Sequence, residues 1–295
     1  MPSLKSLRLR IASVQQTQKI TRAMQMVAAS KLRRAQERAE SARPYAERME
    51  RMLGSLAESV AGLENAPELL AGTGEEHTHL LLPVTSDRGL CGAFNSSITR
   101  AVRTRVGDLQ DSGKAFSLLC LGRKGRDQLR REFGEVIIDT VEGLERGGLS
   151  FDKAEGIAER LIAMLDEGAF DVCTIVYNKF RSVMRHDVTF QNLIPLSLGE
   201  DGAAPEPETL GPVYEFEPEE EEILKELLPR NLAVQVFHAL LESSASEQGA
   251  RMIAMDNATR NAGEMIDGLT LLYNRTRQAA ITKEMVEIVS GAEAL

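Results

Sequence analysis

The chain of 295 residues contains no tryptophan, and aromatic residues make up only 4% of it. That scarcity argues against an aromatic-rich sandwich and fits long helices with Ala, Met and Leu seams. Cysteine occurs three times, at Cys91, Cys120 and Cys173, widely spaced and outside any pairing motif. A disulfide framework is therefore excluded, and a reducing cytoplasm is the expected compartment. No apolar run reaches the roughly eighteen residues of a membrane-spanning helix, and the start lacks the apolar core of a signal peptide. The heptad phase described below already begins at Leu4, which leaves no room for a removable leader. Acidic residues are missing from Met1 to Gln36, where Lys5, Arg8, Arg10, Lys19, Arg22, Lys31, Arg33 and Arg34 are all basic. From Glu200 to Glu226 the charge is acidic except for Lys225, and the whole chain carries a net charge of −9. Charge separated in this way suggests that the basic end meets an acidic partner.

What is abundant is helical periodicity. Leu4, Leu7, Ile11, Val14, Gln18, Thr21, Gln25, Ala28, Leu32, Ala35, Ala39, Ala42, Ala46, Met49, Leu53, Leu56, Val60 and Leu63 step by alternating threes and fours. This is a coiled-coil seam, and at about 1.5 Å per residue its helix reaches roughly 90 Å. The seam is polar at Gln18, Thr21 and Gln25. Pro44 lies inside the helix and predicts a bend near Arg43 to Ala46. A second heptad phase runs through Met255, Ala258, Ala262, Met265, Leu269, Leu272, Thr276 and Ala279; upstream, from Ser243 to Gly249, the phase is less clean.

Between the helical ends, strand and helix signals alternate. Strands are expected at His79–Thr85, Ala115–Leu121, Glu135–Thr140, Phe170–Tyr177 and Asp187–Pro195. Helices are expected from a cap at Asn95 or Ser96 to Asp111, over Lys124–Phe133, and from Ser150 and Asp152 to Glu167. This order predicts an α/β, Rossmann-like domain with a largely parallel sheet. The organisation is an N-terminal coiled-coil helix (1–64), an α/β domain (75–198), an acidic connector (199–228) and a C-terminal coiled-coil helix (229–295), with Pro229 in that helix's first turn. The two terminal helices are expected to pack antiparallel, since neither could bury its seam alone. The polar stretch around Arg275, Arg277, Gln278, Thr282 and Lys283 would then lie near Gln18 to Gln25.

Catalytic motifs are scarce. Thr85–Asn95 (TSDRGLCGAFN) places glycines between a strand and a helix, yet it lacks both the Walker ending and the three spaced glycines of a dinucleotide loop. A tight turn or docking loop fits it better than a nucleotide site. Cys91 has no histidine or metal-type cluster nearby in sequence, so a catalytic thiol is disfavoured. His77 and His79 are expected as a surface pair at a strand start, and no further metal ligand adjoins them. No cofactor, metal or catalytic constellation is expected. The basic N-terminal helix invites comparison with a zipper-type nucleic-acid binder. Against that, its heptad phase runs through the basic stretch and no aromatic residue interleaves it.

Four segments resemble one family. SVQQTQKITRAMQMVAASKLRRAQ (Ser13–Gln36), TSDRGLCGAFN, ARMIAMDNAT (Ala250–Thr259) and LLYNRTRQAAITKEMVEIVSGAEAL (Leu271–Leu295) are similar to the gamma subunits of rotary ATP synthases. The resemblance implies a non-catalytic rotor shaft. Its paired helices would turn inside a ring of three alpha and three beta subunits. Its α/β domain would rest against the epsilon subunit and the membrane-embedded c-ring. It also implies beta-subunit contacts at Lys19, Arg22, Met24, Arg251, Gln278 and Thr282, a basic face including Arg8, Arg33 and Arg34, and a docking turn at Gly89, Cys91 and Gly92. A peripheral place on the cytoplasmic face of a bacterial membrane follows. So does the absence of thiol gating, because the central region holds no closely spaced cysteines. The rival reading is an α/β nucleotide-binding protein with a coiled-coil oligomerisation arm.

Overall fold

The computed structural model describes residues 3–60, 68–196 and 220–293. The elements in chain order are α1 (Leu4–Val60), α2 (Glu68–Ala71), β1 (Thr78–Pro83), α3 (Phe94–Asp111), β2 (Ala115–Leu121), α4 (Arg123–Phe133), β3 (Ile137–Val141), α5 (Phe151–Asp166), β4 (Val172–Ser182), β5 (Arg185–Ile194) and α6 (Glu220–Glu293). The chain divides into two compact units, Met1–Ser30 with Arg251–Leu295, and Lys31–Ala250.

In the second unit, one sheet runs in the order β3-β2-β1-β4-β5. The β1–β2, β1–β4 and β2–β3 pairs are parallel, and β4–β5 is antiparallel. This is the α/β architecture that the alternating signals predict. Side chains alternate across the sheet. Leu80 and Leu82 of β1 join α5 and the Leu232–Leu240 stretch of α6 on one face. Leu81 joins α3 and Leu129 of α4 on the other. Burial on both faces explains why β1 reads as a continuous apolar run.

Three local expectations change. The helix α6 begins by Glu220, so Pro229 lies within it rather than in its first turn. The residue before α3 is Ala93, with no side-chain cap; Asn95 turns inward to Ser86 instead, where its Oδ1 accepts from the Ser86 N–H at 3.0 Å. The buried network outcompetes the cap because both groups lie out of reach of water. His79 is 3% exposed while His77 is exposed, so they form no surface pair. Helix α1 continues through Pro44. The expected loop at Gly199–Pro212 and the seam side chains from Ala42 to Leu63 lie outside the described residues.

His79 leads to a pH prediction. Neither ring nitrogen has a hydrogen-bond partner. Burial, followed by the nearby Lys114 and Arg105 charges, holds its pKa below the usual 6.5. The unfolded chain therefore takes up a proton before the folded one does. The stabilising contribution is complete above about pH 6.5 and is lost as pH falls through that value towards the lower folded pKa. Urea midpoints at about pH 7.5 and 5.5 should differ more for the wild type than for His79→Phe. Equal differences would contradict the assignment.

Candidate functional site

In the first unit, α1 and α6 run antiparallel, as four polar contacts record. Arg8 Nη2 donates to Tyr273 Oη at 2.8 Å, with the guanidinium carbon 5.7 Å from the ring centroid. Gln18 Nε2 donates to the Thr259 carbonyl at 3.4 Å. The hydroxyls of Thr21 and Thr259 share a hydrogen bond at 2.7 Å. Gln25 Nε2 donates to Asp256 Oδ1 at 3.0 Å. The numbers on α6 fall as those on α1 rise. Gly263 leaves room for this layer, since a Cβ there would stand 3.2 Å from Gln18 Nε2. The polar seam of α1 is thus answered by polar groups on α6, which fixes register at a cost in stability.

The α1 seam appears where the periodicity places it: Leu7, Thr21, Ala28, Leu32, Ala35 and Ala39 are buried. The α6 seam appears in part: Met255 and Ala262 are buried, and Ala258, Leu269 and Thr276 are half-buried, as expected. Met265, Leu272 and Ala279 are exposed, while Ile266, Tyr273 and Ala280 turn inward. The Arg275–Lys283 stretch does not meet Gln18–Gln25, because Asp256 and Thr259 already lie there. In the observed register it falls level with the start of α1 and beyond.

The expected contact residues are distributed rather than clustered. Arg8, Lys19 and Arg22 are exposed and fall within about 60° of arc on α1, at about 100° per residue. Arg34 is exposed, and Arg33 is exposed in an ion pair with Glu37 at 3.0 Å. Met24 and Arg251 are half-buried; Gln278 and Thr282 are exposed one turn apart. Arg251 and Gln278 stand 27 residues apart on α6, about 40 Å along a helix. They cannot meet the same short loop.

Sequence reasoning missed the outward apolar residues. On α1, Met26 is 63% exposed and Val27 57%; on α6, Leu271 is 62% exposed and Ile288 71%. Their signal was visible as apolar positions off the seam. Apolar surface of this kind marks an interaction face.

The turn between β1 and α3 lies at the carboxyl edge of the sheet, where the strand order reverses. Asp87 Oδ1 accepts from the Arg123 N–H at 3.2 Å and Oδ2 from the Gly143 N–H at 2.8 Å. The Gly125 N–H donates to Thr85 Oγ1 at 2.8 Å, and the Lys124 N–H to the Ser86 carbonyl at 3.0 Å. The amides that open α4, which could hold a phosphate, are engaged by the chain itself. Gly89 and Gly92 are exposed, whereas Cys91 is 2% exposed beside Asn95 Nδ2 at 3.2 Å. Leu90 is the outward residue, 63% exposed with a φ of 68°. Positive φ at a leucine is strained and persists only where its surroundings hold it. No disulfide joins the three buried cysteines. Burial pushes the Cys120 thiol up to about 11 and raises that of Cys173, so neither is a ready nucleophile. Among the described residues, no group of three His, Cys, Asp or Glu side chains could hold a metal ion.

The family model described as ATP synthase matches residues 3–295. The chain is 59% identical over 297 residues to the ATP synthase gamma chain of Paramagnetospirillum magneticum, covering all of both. The chain belongs to the ATP synthase gamma chain family. It is also 56% identical over 299 residues to the gamma chain of Rhodospirillum rubrum, again over the full length of both. Among solved structures it is similar to a chain of the central stalk and c-ring of Tetrahymena thermophila mitochondrial ATP synthase. That match has 31% identity and a TM-score of 0.61, covering 81% of this chain and 99% of that one. It shares its fold with a chain of the Euglena gracilis mitochondrial OSCP/F1/c-ring assembly, with a TM-score of 0.70 and 20% identity, over 99% and 94% of the two chains. As a gamma chain it is a subunit of the synthase complex.

Proposed function

We propose that the chain is the non-catalytic rotor shaft that couples proton flow to ATP synthesis on beta subunits. The observation that carries this reading is the antiparallel α1–α6 pair, joined through a polar layer yet apolar and basic on its outside. A pair with its own seam filled has no internal use for outward Met26, Val27 and Leu271. A surrounding ring of three alpha and three beta subunits would cover them, and Arg8, Lys19, Arg22, Arg33 and Arg34 would face acidic surfaces of beta. Met24, Arg251, Gln278 and Thr282 would touch beta at different heights along the shaft. The α/β domain (75–198) would sit at the foot against the epsilon subunit and c-ring, with the Gly89–Gly92 turn presenting Leu90 to a neighbour. Among the described residues, no helix is long and apolar enough to cross a membrane. Peripheral attachment to the cytoplasmic face, through the complex alone, fits that.

The rival nucleotide-binding reading is weakened by the engaged amides at α4. One experiment separates the two. Tagged chain purified from its own cells should bring down an ATP-hydrolysing complex with two larger, mutually homologous subunits. Recovery of the chain alone, with ATP binding seen by calorimetry, would overturn the shaft reading.

A further inference from the structure

The least regular stretch of α6 in sequence, Ser243–Gly249, is the part most closely keyed to the α/β domain. Beyond Val84, whose N–H donates to the Val176 carbonyl at 2.9 Å, β1 no longer covers the edge of β4. The Asn178 carbonyl and the Phe180 N–H would be left unpaired there, at a cost that buried backbone groups do not bear. Helix α6 takes the place of the missing strand. Ser246 Oγ donates to the Asn178 carbonyl at 2.9 Å, and Glu242 Oε2 accepts from the Phe180 N–H at 2.8 Å. Both side chains are buried. Asn178 Nδ2 extends the connection to the first turn of α3, donating to the Phe94 carbonyl at 3.2 Å.

A second grip comes from another direction. Glu145, in the loop between β3 and α5, accepts from Ser244 Oγ at 2.7 Å and from Gln248 Nε2 at 3.5 Å. Its loop is braced by Lys153 Nζ, which donates to the carbonyls of Leu144, Arg146 and Gly148 at 2.7, 2.7 and 2.9 Å. Ser244 and Gln248 are two residues on from Glu242 and Ser246, so they point about 200° around the helix. The β4–β5 hairpin closes on Gly249, where a Cβ would stand 3.3 Å from His186 Cε1 and 3.5 Å from Phe180 Cε2.

We infer that this two-sided polar clamp on Glu242–Gly249 is the torque-bearing joint between the α/β domain and α6. The inference rests on the shaft reading. The apolar face of α6 at Leu232–Leu240 already packs against the sheet on one side. Directional hydrogen bonds on nearly opposite sides oppose rotation of the helix about its own axis, as polar seam residues fix register in coiled coils. Glu145, Glu242 and Ser246 are thus positioning residues. They act through α6 and touch no nucleotide.

The test uses membrane vesicles carrying the assembled complex, with ATP hydrolysis and ATP-driven proton pumping measured on the same preparation. Ser246→Ala with Glu145→Ala removes hydrogen bonds on both sides. Hydrolysis should persist while protons pumped per ATP fall about threefold or more, a modest loss for two or three such bonds. The conservative pair Ser246→Thr with Glu145→Gln, which retains a donor and an acceptor, should restore the ratio. A wild-type ratio in the alanine pair would overturn the clamp. So would a loss confined to assembly, or one in which hydrolysis falls in step with pumping. Wild-type vesicles that hydrolyse ATP without pumping would instead overturn the shaft reading itself.

Discussion

Gly122→Val should unfold the α/β domain or lower its stability by more than about 3 kcal/mol, against a typical total of about 5–15 kcal/mol. Gly122 has a φ of 107°, a conformation closed to a β-branched residue, and an added Cβ would overlap the Thr85 carbonyl. The overlap cannot relax cheaply. The Thr85 N–H donates to the Leu121 carbonyl at 2.7 Å, and the Gly122 N–H to the Val141 carbonyl at 2.9 Å. Thr85 Oγ1 also accepts from the Gly125 N–H at 2.8 Å. Moving Thr85 would disturb β1, β2 and the head of α4 together. Gly147→Ala is the control: its φ of 74° is also positive, but nothing lies within 4 Å of an added Cβ. It should cost only about 1 kcal/mol. Urea titration of the purified chain with hydrogen exchange on β1 and β2 measures both. Near-equal midpoints for the two variants would contradict the geometry.

Gln278→Ala combined with Thr282→Ala should lower ATP synthesis and hydrolysis about tenfold while leaving the melting of the purified chain unchanged. Both side chains are exposed, so the chain's own stability does not depend on them. Each hydrogen bond that the proposed contact would make to beta is worth about 0.5–1.5 kcal/mol, and about 1.4 kcal/mol corresponds to a factor of ten. Because Arg251 stands about 40 Å away along α6, Arg251→Ala should act independently, and its effect should multiply with that of the pair. Wild-type turnover in the assembled double variant would remove Gln278 and Thr282 from the contact set. A triple variant no worse than the double would remove Arg251.

Much of the fold was legible in the sequence because one burial pattern decided each element. Leu7, Ala28, Leu32, Ala35 and Ala39 are buried by the alternation that names them, and β2 spans the expected Ala115–Leu121. The misreadings have a common cause. Periodicity records which residues are apolar, not what covers them. Met265 and Leu272 are apolar but face outward, so they drew the expected α6 seam away from Ile266 and Tyr273. Around Ser246 the opposite holds: α6 is buried on most sides and keyed by polar groups, which a heptad template cannot register. Asn95 read as a cap because its partner Ser86 is fixed only by tertiary structure. The expected contact residues rest on family resemblance alone. Their spread over about 40 Å of α6 emerges once the helix is known to be continuous.

The most direct test is to watch the α/β domain turn. Met184, 88% exposed at the β4–β5 hairpin, can be replaced by Met184→Cys and labelled selectively, because Cys91, Cys120 and Cys173 are buried. With the complex held by its catalytic subunits and supplied with ATP, the label should rotate in one direction and stop when ATP is exhausted. A label that stays fixed while the same complexes hydrolyse ATP would contradict the assignment of this chain as the rotor.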